Sequence, residues 1–593
     1  MCGICGEIRF DGAPADVTAV ARMTGSMGSR GPDEAGAYAR QAVAFGHRRL
    51  CIIDLSSRGG QPMVDSELGL ALVFNGCIYN YRQLRGELQH LGYRFFSTAD
   101  SEVVLKAFHC WGSDCVHRFK GMFAFAVHDL DTGVVTLARD RLGIKPLYLA
   151  ERPGRLRFAS TTQALLRGGE VDTTLDRVAL HHYLSFAAAV PAPHTVFRGI
   201  RTLPPATVRV VHPDGSSTET RYWEPVFTRS PEHRDWGRAQ WQEALLDALR
   251  TAVRRRMVAD VPVGVLLSGG LDSSLLVALL AERGQHDLAT FSIGFDAAGG
   301  ESGNEYYYSD LIARTFGTDH QRIHIDPARL PAAVPQAIAA MSEPMISHDC
   351  VAFHLLAQEV SRSVKVVQSG QGADEILGGY HWYQPLVGVA RSQSAEAYAK
   401  VYFDRTHDDI AALLTPAYRL DRDVSAEFVA RHHRAAGAET TVDAALRLDT
   451  TVMLVEDPVM RVDSMTMAWG LEARVPFLDH EFVELAAACP PEYKLEGDGK
   501  GVLKEASRAL LPGEVIDRTK GYFPVPGIRH LEGEVLEMVT DALRSRAARD
   551  RALYRPEVLD ALFAAPNDIR TGRGINVLWQ VGLLEMWLQT VEG

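Results

Sequence analysis

Cysteine stands second in the chain, behind a methionine that an aminopeptidase can remove when the next side chain is small. Processing would leave Cys2 with both a thiol and a free α-amine. An α-amine has an ordinary pKa of about 7.7–8.0, so part of it is neutral near pH 7. It can take the thiol proton and activate the nucleophile without a separate histidine. Other residues could complete a site around it. Arg49, in Gly46-His47-Arg48-Arg49-Leu50, offers a bidentate fork for a carboxylate. Asn75-Gly76 offers an amide donor beside an unobstructed backbone N–H, the parts of an oxyanion hole. Asp100 could hold an α-ammonium group. Taken singly, these are a small buried residue, a surface arginine, a hairpin Asn-Gly and a helix cap. Taken together, they are what hydrolysis of free glutamine requires.

A second constellation lies at Ser268-Gly269-Gly270-Leu271-Asp272-Ser273-Ser274, between a buried strand pattern and a helix pattern. Small residues let the backbone wrap a phosphate, and the helix N-terminus adds N–H donors and partial positive charge. The loop is not a Walker A motif, since no Gly-Lys-Ser/Thr follows at the required spacing.

The elements that must position these residues fall into two regimes. Residues 2–212 carry short alternating or β-branched runs: Gly3 to Phe10, Leu68 to Phe74, Met122 to Asp129 and Val134 to Arg139. Helices are predicted over Asn80 to Leu91 and Ser101 to Trp111. This half reads as layered sheets with helices outside. The stretch 213–237 is polar and turn-rich and reads as a linker. From 238 to 593 strand–helix alternation takes over, with strands predicted at Pro262 to Leu267, Leu288 to Phe295, Gln321 to Ile325 and Val364 to Gln368. That order implies a mostly parallel, doubly wound sheet, followed by a mainly helical part after about Gly379.

Composition narrows the function classes. The chain has 593 residues, too many for one core, so two or three domains are expected. Its net charge of -12 comes without a Lys/Arg block, which points away from nucleic acid and anionic membranes. No apolar run reaches the ~18 residues of a membrane span, and no signal peptide opens the chain. Eight scattered cysteines suit a reducing compartment, so a cytoplasmic location is expected. Cys2-x-x-Cys5 has metal-like spacing, but no second Cys/His pair follows at zinc-ribbon spacing, so no metal is assigned to it.

Met1 to Gly6, Arg30-Gly31-Pro32-Asp33, Gly46 to Leu50 and Asn75-Gly76 resemble the class II glutamine amidotransferases. These are N-terminal-nucleophile (Ntn) hydrolases with a four-layer αββα fold. The resemblance implies that Cys2 attacks the glutamine amide, that Asn75 and Gly76 assist, and that Arg49, Leu50, Ile53, Asn75, Gly76, Cys77 and Asp100 bind glutamine. Cys77 departs from the Glu usual after Asn-Gly in asparagine synthetases. The loop Ser268 to Ser274 resembles the pyrophosphate loop (PP-loop) of the AMP-forming ligases, the signature of the asparagine synthetase family. By that resemblance Leu267, Ser268, Gly269, Gly270, Leu271, Asp272, Ser273, Ile293, Ser369 and Gly370 contact ATP, and Asp272 and Asp374 hold Mg²⁺. Lys504 and Lys520 fall in the family's C-terminal motif, with Lys520 the candidate for offsetting phosphate charge and Lys504 a candidate at the acceptor. Glu472 to Asp479 also matches the family and reads as structural support. The implied reaction adenylates a carboxylate and delivers ammonia to it through an internal tunnel. The expected partners are small molecules, with a homodimer left open.

Three features bear on the acceptor. Gln371 stands where asparagine synthetases typically carry Glu, the stretch Ser342 to Phe353 has an unusual middle, and His381-Trp382-Tyr383 adds aromatic rings. With Phe74 to Asn80, these stretches look most like the N-acetylglutaminylglutamine amidotransferases, which amidate a blocked dipeptide to make an osmoprotectant. Asparagine synthetase is the alternative. A β-lactam-forming synthetase shares the ATP half but needs no ammonia, so the intact Cys2, Arg49 and Asp100 set argues against it.

Overall fold

The computed structural model describes residues 2–282, 284–285, 287–296, 304–519, 521 and 526–592. Strands of the first part are β1 (Gly3–Arg9), β2 (Glu34–Arg40), β3 (Val43–Arg49), β4 (Met63–Asp65), β5 (Leu70–Ile78), β6 (Gly121–Asp129), β7 (Val135–Arg139), β8 (Tyr148–Arg152), β9 (Arg155–Ala159), β10 (Arg201–Thr202), β11 (Thr207–Val211) and β12 (Ser217–Arg221). They form two six-stranded sheets, ordered β10-β8-β9-β1-β3-β2 and β12-β11-β7-β6-β5-β4, with antiparallel pairing throughout. Ile4, Ile8, Phe45 and Phe158 of one sheet pack against Val73, Ala124 and Leu137 of the other. The helix Val17–Ser26, whose N-terminus Asp16 caps, covers the outer face of the first sheet. The helix Asp100–Trp111 covers the second. The result is four layers, αββα. Strands β1, β5 and β6 are buried on both faces because each sheet lies between another sheet and a helix.

The second part is built on a five-stranded sheet with strands β13 (Val263–Leu266), β14 (Ala289–Phe295), β15 (Asp319–Ile325), β16 (Val366–Gln368) and β17 (Glu472–Arg474). Its order is β15-β14-β13-β16-β17, all parallel, as the strand–helix alternation predicts. The helix Leu271–Ala281 is apolar almost all round and correspondingly buried. The chain from about 373 on is mostly helical. One apolar cluster runs unbroken from Leu50, Ile53 and Cys77 of the first part to Val265, Leu276 and Phe477 of the second. The two parts therefore share a core.

Two sequence expectations need correction. The stretch 213–237 is not all linker: β12 lies inside it and forms the edge of the second sheet. All five β12 residues are exposed and polar, so alternation could not reveal them. The strand β17 lies in a part expected to be mainly helical. With three residues it is too short for a periodic signal, and it completes the parallel sheet.

Candidate functional site

The sheet edges bring the first constellation together. Cys2 sits just before β1, and its backbone N–H donates to Asn75 Oδ1 at 3.0 Å. Asn75, Gly76 and Cys77 lie on β5, paired to Ala124, Phe123 and Met122 of β6. A Cβ at Gly76 would overlap the Met122 carbonyl oxygen and the Phe123 backbone, so only glycine fits this register. Arg49 ends β3, and its guanidinium donates to Glu34 Oε2 at 2.8 Å, to the Ser56 carbonyl at 2.9 Å and to the Asp54 carbonyl. Asp100 opens its helix, but Ala99 holds the cap position; the Asp100 carboxylate accepts the Ile78 N–H at 3.0 Å. Cys2, Arg49, Leu50, Ile53, Gly76, Cys77 and Asp100 line one cavity of about 30 Å³.

Two residues of the second part line the same cavity: Glu472 and Arg474 of β17, both fully buried. Sequence reading missed them. The available signal was two charges inside the otherwise apolar run Leu471 to Leu478. Arg474 donates through Nε to Glu472 Oε1 at 2.6 Å, through Nη1 to the Arg256 and Val258 carbonyls, and through Nη2 to Cys77 Sγ at 3.6 Å. Burial would raise the Glu472 pKa, but the amino terminus, Arg474 and Lys145 outweigh it and hold it at about 2. Asp100 goes the other way, to about 6, because burial exceeds the help from the Ile78 N–H and Glu472 adds like charge. Burial also pushes the Cys2 thiol up, against the positive amino terminus and Arg49. Behind Cys2, Arg30 joins the two parts. Its Nε donates to the Cys2 carbonyl at 3.4 Å and its Nη1 to Asp463 at 2.9 Å, while Lys145 meets the same Asp463 at 3.1 Å.

The second constellation surrounds the end of β13. Ser273 Oγ meets the Ser268 N–H at 3.2 Å and Ser268 Oγ at 3.1 Å, which folds the loop onto the helix N-terminus. Gly269 has φ +75°, and a Cβ there would press on the backbone at Tyr308 and Ser309. The turn after β16 carries Ser369 and Gly370 against this loop; a Cβ on Gly370 would lie 3.0 Å from Asp272 Cβ. Leu267 is bound to β14 through the Phe291 carbonyl, two residues before Ile293. Asp272 and Asp374 converge on a single position, which the Lys500 ammonium occupies at 2.6 Å and 2.8 Å. Burial would lower the Lys500 pKa, but the two carboxylates outweigh it and keep the lysine charged. Two oxygen donors facing one cation fit a hard divalent ion such as Mg²⁺.

Several lysine and aromatic expectations change. Lys504 turns back to the Gly497 carbonyl, and Lys500, one helical turn earlier, takes the place beside the aspartates. Lys520 lies outside the described residues, as do 522–525 of its motif. A cation that sequence reading missed, Arg518, donates to the Gly269 carbonyl of the loop at 3.2 Å and pairs with Glu305. Of the aromatics expected beside the acceptor, Tyr383 is core, Trp382 packs partly buried against it and His381 is exposed. Tyr383 and Trp382 both donate to buried Asp449, at 2.5 Å and 3.3 Å, and Trp382 stacks on Tyr380 with centroids 4.1 Å apart.

Comparison with known proteins fits this geometry. Residues 244–589 match the family model described as asparagine synthase, and residues 1–223 match the glutamine amidotransferase domain. The chain belongs to the asparagine synthetase family. It is 30% identical to asparagine synthetase [glutamine-hydrolyzing] 1 of Bacillus subtilis, over 95% of this chain and 93% of the relative. Asparagine synthetase B of Escherichia coli is 27% identical over 96% and 92%. A Mycobacterium tuberculosis protein provisionally named as a glutamine-hydrolysing asparagine synthetase is 34% identical over 90% and 89%. Like its family, this asparagine synthetase relative is a carbon–nitrogen ligase that takes its nitrogen from glutamine and uses ATP. Among the described residues no helix is long and apolar enough to cross a membrane.

Two segments carry the remaining residues expected at the acceptor. Gln371 is half-buried in the turn that carries Ser369, Gly370 and Asp374. Glu375, next on that turn, is buried and accepts the Tyr380 hydroxyl at 2.7 Å. From the Ser342–Phe353 segment, Ser347 and Asp349 accept from Arg461 at 2.6 Å and 3.3 Å. Glu343 of the same segment is buried and bonded to the Val196 N–H, and burial pushes its pKa to about 8.

Proposed function

We propose that the chain amidates the carboxylate of N-acetylglutaminylglutamine, using ammonia from glutamine and cleaving ATP to AMP and pyrophosphate. The Cys2 thiolate, deprotonated by its own α-amine once Met1 is removed, attacks the glutamine amide. The Asn75 amide and the Gly76 N–H stabilise the oxyanion. Arg49 holds the substrate carboxylate, and Asp100 holds its ammonium. In the second part, the acceptor carboxylate attacks the α-phosphorus of ATP and pyrophosphate leaves. The Ser268–Ser273 loop receives the pyrophosphate at the helix N-terminus. Asp272 and Asp374 would hold Mg²⁺, which neutralises phosphate charge when bound. Lys500 then adds its own charge to the phosphates. Ammonia displaces AMP from the activated carboxyl carbon.

The observation that carries the acceptor assignment is Gln371. In the Ser369–Asp374 turn this position is neutral, and the adjacent Glu375 carboxylate is engaged by Tyr380. A free amino acid would bring an ammonium to a place without its usual acidic partner, and an unpaired buried charge is costly. An acetylated acceptor brings none. Asparagine formation from aspartate is the second reading, favoured by the names of the relatives. Pyrophosphate release over a panel of acceptors tests both. Turnover of the dipeptide with little response to aspartate supports the proposal; efficient asparagine formation without dipeptide turnover overturns it.

A further inference from the structure

The glutamine pocket has one wall that the amidotransferase half does not make. Glu472 and Arg474 are two residues apart on β17, so both project from the same face of that strand, with Ala473 on the other. That face closes the cavity holding Cys2, Arg49 and Asp100. We infer that Glu472 completes the α-ammonium site for glutamine, so that the clamp is a carboxylate pair, Asp100 from one half and Glu472 from the other. The inference rests on the glutaminase reading above.

Charge balance is the argument. Glutamine is a zwitterion, and Arg49 answers its carboxylate. Its ammonium has three N–H donors and needs acceptors once water is displaced. On β5, the position after Asn75-Gly76 is Cys77, whose thiol is buried and contributes no charge at neutral pH. Asp100 is one acceptor, but it already takes the Ile78 N–H and ionises only near pH 6. Glu472 is the second carboxylate lining the cavity, and Arg474 and Lys145 favour its ionised form once Met1 and its amino group are gone. Its charge is felt within the pocket, since it raises the pKa of Cys2, Cys77 and Asp100. Arg474 does not cancel it for the substrate. The guanidinium also serves two carbonyls and the Cys77 sulfur, and so acts as the bracket that fixes Glu472. Two buried carboxylates that repel each other across a cavity are relieved by a cation between them.

The clamp is also mechanically tied to the ATP half. The Arg474 carbonyl accepts the Ser369 N–H at 2.8 Å, and Gly370 abuts Asp272.

Glutamine and glutaramate, which lacks the α-amine, separate an ammonium contact from a structural role. Glu472→Gln keeps size and hydrogen bonding and removes the charge. Its KM for glutamine should rise roughly 10–100-fold, the worth of one hydrogen bond to a charged group, with kcat changing less. Its preference for glutamine over glutaramate in kcat/KM should fall by the same factor. A variant that unfolds cooperatively near the wild-type temperature yet keeps the wild-type preference overturns the inference. If Glu472→Gln does not fold, Asp100→Asn decides: glutamine should still be preferred through Glu472, and complete loss of preference would place the whole clamp on Asp100. A wild-type protein without glutaminase activity would overturn the glutaminase reading itself, an outcome distinct from either.

Discussion

The two candidate sites of this chain are held together in opposite ways. The glutamine pocket is fixed by strand ends and by buried charges drawn from both halves. Arg49, Asp100, Glu472 and Arg474 are each bonded to backbone groups or to one another. The ATP-side site is a set of glycine turns around a helix N-terminus, with Lys500 as the counter-charge between Asp272 and Asp374. The first arrangement is preorganised for a substrate whose own charges balance. The second carries a charge that must be re-paired when phosphates and a divalent ion arrive. Preorganisation lowers the cost of binding, whereas an exchangeable internal cation keeps two carboxylates together without a ligand.

The largest effect is expected where the two sites are cut apart. Cys2→Ala should lower glutamine-dependent amide formation by at least about 10⁴-fold, as loss of a nucleophile does. Free ammonium should still support synthesis. Full glutaminase activity in this variant would remove Cys2 from the reaction. The converse cut is Asp272→Asn, which should lower pyrophosphate formation by about 10²–10³-fold and leave basal glutamine hydrolysis largely intact. Formation of ADP and phosphate by the wild type, instead of AMP and pyrophosphate, would sink the ligase chemistry assigned here.

A smaller effect should expose the exchangeable cation. Lys500→Met removes the ammonium that stands between two carboxylates. Because both remain about one-fifth exposed, the cost should be about 1–3 kcal/mol, below that of a fully buried pair. Millimolar Mg²⁺ should recover more of the lost melting temperature in this variant than it adds to wild type. Equal magnesium shifts in the two proteins would mean that Asp272 and Asp374 do not form the ion site.

The smallest effect is one of pH. Asp100 has its pKa raised to about 6, so it is charged above that pH and neutral below. The KM for glutamine should therefore rise as pH falls through 6, by less than the limiting factor of about ten per unit that a lone carboxylate gives. It should then level off, because Arg474 and Lys145 hold Glu472 ionised below the range in which Asp100 titrates. A KM that keeps rising tenfold per unit below pH 6 would leave the clamp to Asp100 alone.

The sequence by itself determined whatever depends on a few adjacent residues. Cys2 behind a removable methionine and Gly269 at φ +75° are local requirements that few other residues meet. The alternation of strands and helices likewise foretold the parallel sheet. Tertiary structure decided what depends on distant charges meeting. Lys504 and Lys500 stand one helical turn apart, and only the packing of Asp272 and Asp374 selects Lys500. Tyr383 reads as a site residue until Asp449 claims its hydroxyl. Glu472 and Arg474 lie nearly 400 residues beyond Asn75-Gly76-Cys77, in a strand too short to show a period. Their importance comes from burial, which makes a charge costly unless it is paired. Pairing is a property of the folded neighbourhood, and no stretch of chain carries it alone.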